Sequence, residues 1–403
     1  MTSPPLSGLR VLELANFMAG PFAGMLLSDQ GADVVKVEQP GVGDASRHSP
    51  PLVSGEGAGF MSINRGKRSL AINLKAPEGK AAFRRLVAAT SECPADVLIE
   101  NFRPGTMDDL GLGWDALHAL NPRLVYCSIS GFGQTGPWRE RAGLDLIAQA
   151  TSGLMSVTGE PGGAPVKAGV PVADLTTGLY AAFAVLAALR ERERSGLGQH
   201  VDLSLFESAL SLGIWETSLY FATGEVPGPL GSAHRASAPY QAFRCADGYV
   251  VLGATTPNTW AGFCRALGLE ALHDDPRFAT NVVRKANEKE LATLIEAVTQ
   301  TRPRAHWLAR LDREGVPAGP INRYDEALVA DHTQARGMVA EVDHPRAGRQ
   351  KLLASAVHMS RTPPRRPCPA PLLGQHSREV LREAGLPERE VEALVAAGVV
   401  TEP

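Results

Sequence analysis

The 403-residue sequence has little of what marks several protein classes. Its five cysteines, at 93, 127, 245, 264 and 368, lie far apart, and no two form a CxxC pair. So dilute and odd a set is poor material for a disulfide framework. Neither sign of charge dominates: 40 Lys and Arg face 43 Asp and Glu, a formal net charge of -3. This argues against a broad basic face, and so against nucleic acid as a partner, but leaves room for a compact anion held by a few local cations. The most apolar stretch, Leu179–Leu189, falls short of the roughly 18–20 residues of a membrane span and reads as an Ala-rich buried helix. No basic head followed by an apolar segment opens the sequence, so no signal peptide is read, and a soluble cytoplasmic protein without a membrane partner is expected. The ten histidines show no HExxH pattern and no close cysteine partners, so no metal site is expected. A GxSxG elbow is missing too, because Ser128 stands where Ser130 would need a glycine.

What is abundant is glycine and proline, 41 and 30 residues, above average usage. The length and a 44% hydrophobic content suffice for a large core, divided between two domains. Val11–Leu14 reads as a strand, Gly20-Pro21 opens a helix with Phe22, Met25 and Leu26 on one face, and Val34–Val37 is the next strand. Strand, helix and strand within about thirty residues form a βαβ unit and imply a parallel sheet. The pattern recurs with a helix from Pro77 and strands at 96–100 and 124–128. Residues 131–173 read as glycine-rich loop, 174–194 as a long helix, 206–222 as helix, and 377–399 as a terminal helical region. The Gly/Pro/Ser/Ala-rich stretch 224–240 is the best domain boundary.

Three motifs tempt and fail. Gly131-Phe-Gly133-Gln-Thr-Gly136 fits GxGxxG, but Pro137 and Trp138 follow instead of an apolar helix, so a spacer or ligand-covering loop is the better reading. Gly66-Lys67-Arg68-Ser69 has the wrong spacing for a phosphate loop. It leaves Arg65, Lys67 and Arg68, with Lys75 further on, as a local anion-binding candidate whose bland alternative is a solvated turn. Asp174, at the mouth of the long helix, admits two readings. It is either the helix N-cap, accepting a backbone N–H, or a carboxylate nucleophile among Gly169 and Gly178, with helix-end donors to stabilise a nearby oxyanion.

An ordered series of strings then carries a resemblance over nearly the whole chain. They include Gly8-Leu-Arg-Val-Leu-Glu-Leu14, Gly31-Ala-Asp-Val-Val-Lys-Val-Glu38, Asn64-Arg-Gly-Lys-Arg-Ser69, Glu100-Asn-Phe-Arg-Pro-Gly105, Ser130–Pro137, Gly169–Gly178 and Pro371-Leu-Leu-Gly-Gln-His376. Each is weak alone, but in succession they identify the chain as resembling the class III CoA-transferases, the CaiB/BaiF group, with α-methylacyl-CoA racemases as relatives. The resemblance implies an α/β fold in which a Rossmann-like large domain (1–223 and 326–403) carries a smaller inserted α/β domain (241–325) reached through the 224–240 linker, in an interlocked, ring-like homodimer. It implies Asp174 as nucleophile and a coenzyme A thioester as substrate, with no redox or metal cofactor. It places Met18 and Ala19 beside the thioester arm, Lys75, Asn101 and Phe102 around the nucleotide, and Arg65, Lys67 and Arg68 near its phosphates. Met18 departs from the glutamine of the formyl-CoA enzymes, which leaves Asn16 or a backbone group to supply the polar clamp. The glycine run that covers their site is also replaced, by a segment offering His234 or Arg235 to bind the acid. Succinyl-CoA as donor and a small carboxylic or dicarboxylic acid as acceptor are expected. In Ala142-Gly-Leu-Asp-Leu146, Leu144 holds the place of a racemase histidine and cannot accept a proton, so racemisation is the weaker alternative, beside a catalytically silent CoA-binding scaffold.

Overall fold

The alternation at the start of the chain builds a central sheet. In the computed structural model, which describes residues 3–403, β1 (Arg10–Leu14), α1 (Ala19–Asp29) and β2 (Asp33–Glu38) form the first βαβ unit. A small hairpin, β3 (Leu52–Val53) and β4 (Glu56–Gly57), leads through α2 (Ala58–Ile63) to β5 (Arg68–Ile72). Then come α3 (Pro77–Val87), β6 (Val97–Glu100), α4 (Thr106–Asp109), α5 (Trp114–Leu120) and β7 (Val125–Ser130). Beyond these lie α6 (Asp145–Thr151), α7 (Val172–Ser195), β8 (His200–Ser204), α8 (Leu205–Ser211) and α9 (Ile214–Thr223). The sheet order is β14-β5-β2-β1-β6-β7-β8, parallel throughout except for β14 (Val400–Thr401), which runs antiparallel to β5. The fold is thus mixed α/β around a predominantly parallel sheet. Its central strands are apolar on both faces because helices cover both: Leu12, Leu14 and Leu98 face one core cluster, Val11, Val97 and Ile99 the other.

The chain divides into two compact units. The first takes Met1–Leu154, Lys167–Phe221 and Asp331–Pro403, the second Met155–Val166 and Ala222–Ala330. The second has its own antiparallel sheet of β9 (Tyr240–Cys245), β10 (Gly248–Gly253) and β11 (Ala318–Pro320), and its own core around Phe243, Trp260, Phe263, Phe278 and Trp307. In the last segment of the first unit, β12 (Val339–His344) and β13 (Gly348–Leu353) pair as an antiparallel hairpin.

Several expectations are corrected. Arg68, read within a turn, opens strand β5. The loop at 131–173 contains helix α6. The helix at 206–222 is two helices, parted near Leu212-Gly213, where a glycine interrupts the run. The terminal region is two short helices, 377–383 and 388–396, ending in β14. Helix α7 matches its expected span and ends at Gly196 in the left-handed conformation (φ 80°), which glycine adopts without a Cβ clash. It is not simply buried, however. Ala173, Thr177, Ala181, Val185 and Ala188 face the interior, while Leu179, Phe183 and Leu186 are exposed.

Candidate active site

Chain direction locates a candidate site. From β1 the chain moves outward to β2 and β5, then returns to place β6 on the other side of β1. Ligands of open parallel sheets bind outside the carboxyl ends of strands at such a reversal. The residues there follow β1 (Ala15–Ala19) and β6 (Asn101–Arg103), and the two segments are tied together. The Asn101 side-chain Oδ1 accepts the Asn16 N–H at 2.8 Å, and its Nδ2 donates to the Asn16 carbonyl at 2.8 Å. Asn16 and Asn101, predicted separately, thus form one bridge, and the Asn101 amide is engaged with backbone. Glu100 accepts the Phe102 N–H at 2.8 Å, and burial pushes its carboxyl up to about 7. Met18 stands at the N-cap of α1 and offers no side-chain cap. Lys75 is exposed and forms no ion pair with the described residues. Arg103, likewise exposed and unpaired among the described residues, escaped the sequence reading although it lies inside the Glu100–Gly105 string.

The anion-binding reading of Arg65, Lys67 and Arg68 meets a different arrangement. Lys67 is fully buried, with Nζ 2.7 Å from Glu13 and donating to the Pro21 carbonyl and Asn64 Oδ1, each at 2.8 Å. Burial pushes its ammonium down to about 8 against the pull of Glu13. Arg65 grips Asp29 with two donors at 3.2 and 2.6 Å, and Arg68 is shared by Asp33, Glu379 and Glu383. These cations already have carboxylate partners and tie α1, β2 and the C-terminal helices to the sheet. A buried cation is tolerated only when so paired, and that pairing withdraws all three from a phosphate.

Asp174 lies in the first turn of α7, and the capping reading is not what the structure has. The N-cap is Pro171, and the acceptor at this helix start is Asp145 from α6. Its Oδ1 takes the N–H groups of Ala173 at 2.9 Å and Asp174 at 3.4 Å. Gln149 braces it, donating to Asp145 Oδ2 at 2.6 Å and accepting the Ala168 N–H at 3.0 Å. The Asp174 carboxylate accepts no hydrogen bond from the described residues. Burial, then the nearby charge of Asp145, push it up to about 7. Sequence reading passed over Asp145 and Gln149, since one acid in a glycine-rich loop carries no periodic signal.

Glycines bring the surrounding backbone close. Asp174 and Gly178 are four residues apart and share a face of α7. A Cβ on Gly178 would sit 2.8 Å from the Ala19 carbonyl oxygen and 2.9 Å from the Phe22 ring. The start of α1, with Ala19, therefore packs directly beside the Asp174 face. Gly131 and Gly143 touch backbone to backbone, a Cβ on Gly131 falling 2.6 Å from the Gly143 Cα. The GxGxxG-like loop thus sets the approach to Asp145. Of the predicted residues, Asn16, Met18, Ala19, Asn101, Phe102 and Asp174 belong to this one region of the first unit. His234 and Arg235 belong to the second unit, where His234 stacks on Tyr240 with ring centroids 4.9 Å apart and Arg235 donates to the Gly228 carbonyl at 3.0 Å. Among the described residues no cluster of His, Cys, Asp and Glu has the geometry of a metal site.

Comparison with known proteins bears on this geometry. The model of CoA-transferase family III matches residues 6–377. The chain is 40% identical over 398 residues to the succinyl-CoA:glutarate CoA-transferase of Mus musculus, covering 98% of this chain and 90% of that one. It is 43% identical over 393 residues to the succinate–glutarate CoA-transferase of Agrobacterium fabrum, covering 96% and 97%. A solved structure of a CAIB/BAIF family protein from Brucella suis superposes with a TM-score of 0.84 at 40% identity, covering 95% of this chain and all of that one. The chain belongs to CoA-transferase family III, and it is an enzyme of that class, acting on CoA thioesters.

Proposed function

We propose that the enzyme moves CoA from succinyl-CoA to a small carboxylic or dicarboxylic acid through covalent intermediates on Asp174. The observation that carries the reading is a partly buried carboxylate without hydrogen bonds, in a helix start already capped by Asp145. Nothing in the resting site competes for its lone pairs. An Asp174 oxygen attacks the thioester carbonyl, and the C–S bond breaks with its electron pair on sulfur, giving a mixed anhydride and CoA thiolate. The thiolate attacks the Asp174 acyl carbon and expels the first acid as its carboxylate, leaving an aspartyl-CoA thioester. An acceptor carboxylate attacks that thioester and releases the thiolate, which then takes the acceptor's acyl group from the second anhydride and frees Asp174. One negative charge is passed along at each step and no electron is gained or lost. Covalent catalysis of this kind divides one hard exchange into easier ones. The Ala19 and Gly20 N–H groups at the start of α1 are suited to the oxyanion, since those at the start of α7 are already taken by Asp145 and by backbone carbonyls.

Met18, Ala19, Phe102, Lys75 and Arg103 are the groups we assign to CoA, and His234 and Arg235 those for the acid. The donor and acceptor classes follow the names of the relatives, one a succinyl-CoA:glutarate and another a succinate–glutarate CoA-transferase. We also assign a homodimer, with the second unit inserted into a Rossmann-like first. It is supported by the large apolar side chains left exposed on two helices, Phe183 on α7 and Trp215 and Phe221 on α9, which subunit association would cover. Transfer from succinyl-CoA across a panel headed by glutarate tests the function, with Asp174→Ala as control. Full transfer by Asp174→Ala sinks the mechanism. CoA binding without exchange across the panel marks a silent scaffold, and deuterium entering the α-carbon of a 2-methylacyl-CoA marks a racemase.

A further inference from the structure

We infer that Asp44 is a positioning residue for the transfer reaction, holding Phe17 in a left-handed turn that sets the start of α1 against the Asp174 face of α7. The inference rests on the proposed role of Asp174. Phe17 has φ 62° and the residue is 55% exposed. A bulky residue takes such a backbone conformation only under constraint, and the packing of a residue this exposed does not supply it.

Side chains from elsewhere do. Lys36 donates to the Ala15 carbonyl at 2.7 Å, and Asn101 holds both backbone groups of Asn16 at 2.8 Å. Asp44 Oδ1 accepts the Phe17 N–H at 3.2 Å. From the Ala15 carbonyl to the Phe17 amide, every successive backbone polar group is therefore gripped by a distant residue. Asp44 is itself fixed. It is fully buried, with Oδ2 2.8 Å from the Lys36 ammonium and Oδ1 also accepting from the Ser46 N–H and hydroxyl at 2.8 and 2.7 Å. Lys36 in turn meets Glu13 at 2.9 Å.

What the turn feeds gives the clamp its use. Two residues past Phe17, the Ala19 carbonyl lies against Gly178, one helical turn from Asp174. A turn that relaxed to negative φ would swing the start of α1, including Met18 and Ala19, away from that face. Phe17 adopts the constrained conformation and Asp44 enforces it, and no hydrogen bond or ion pair joins either to Asp174.

Substitution at Phe17 separates conformation from side chain. Asparagine accepts positive φ readily and a β-branched valine does not. Phe17→Asn is expected to keep kcat within about twofold of the wild type, and Phe17→Val to lose tenfold or more in kcat, with the KM of the acceptor acid and the unfolding temperature little changed. Asp44→Ala is expected to lose kcat similarly, and the double variant Asp44→Ala with Phe17→Asn to regain most of it, a rescue that a purely structural Asp44 does not predict. Should Asp44→Ala fail to fold, the two Phe17 variants decide alone. Equal activity of Phe17→Asn and Phe17→Val, or equal loss in both, overturns the inference. Amide exchange at Phe17 reads the clamp without any substrate, so a failure of the transferase reading is told apart from a failure of this one. The amide is expected to be protected in the wild type, and rapid exchange there overturns the inference.

Discussion

Replacing Asp174 by asparagine removes a charge from a site that resists it, and the structure sets the size and pH dependence of the gain. Burial and the charge of Asp145 raise the carboxyl from its ordinary 3.8 to about 7. Between those values the folded enzyme holds a proton that the unfolded chain has already released. Stability therefore falls as pH rises from about 4 to about 7, and the full cost is in place above that. Three units at about 1.4 kcal/mol each give roughly 4 kcal/mol, and solvent at the partly exposed carboxylate reduces this to about 2–4 kcal/mol. Asp174→Asn keeps the shape and drops the charge. It is expected to unfold roughly 2–5 °C higher than the wild type near pH 8, with about a third of that gain near pH 5, while losing transfer activity. Thermal scans of both proteins at the two pH values measure it. An equal gain at both, or a loss near pH 8, would refute the argument that this carboxylate is held ionised against its surroundings.

Other consequences follow from the same packing. The rate of transfer should fall about tenfold per pH unit below the Asp174 value of about 7, and Asp145→Asn, which keeps an acceptor for the helix start but not its charge, should move that limb to lower pH; an unmoved limb in a pH–rate profile counts against the coupling. Gly178→Ala should cost about 1–3 kcal/mol in denaturant unfolding and lower kcat, because the new methyl meets the Ala19 carbonyl at 2.8 Å. Lys67→Met should destabilise by about 3 kcal/mol without changing the KM for the acyl-CoA in the protein that folds; a raised KM would return Lys67 to the phosphates.

What could be read from sequence was what repeats locally. The first βαβ unit and α7 announce themselves through apolar spacing and a closing glycine, and the string around Asp174 through a carboxylate at a helix mouth. The roles of Arg65, Lys67 and Arg68 were not legible, because their partners Asp29, Glu13, Asp33 and Glu383 lie far away in sequence and meet them only when the sheet forms. Asp145 was hidden for the same reason: the helix it caps begins 27 residues later. Strand β5 was missed because two cations at its edge resemble a solvated turn until the buried carboxylates are seen.

The central claim is the covalent one, and trapping tests it most directly. The enzyme is incubated with succinyl-CoA, quenched with hydroxylamine, digested and mapped by mass spectrometry. The account predicts a hydroxamate on Asp174, formed from its anhydride or thioester and absent without the acyl-CoA. Transfer that proceeds with Asp174 unmodified, or a hydroxamate on a different carboxylate, would contradict it.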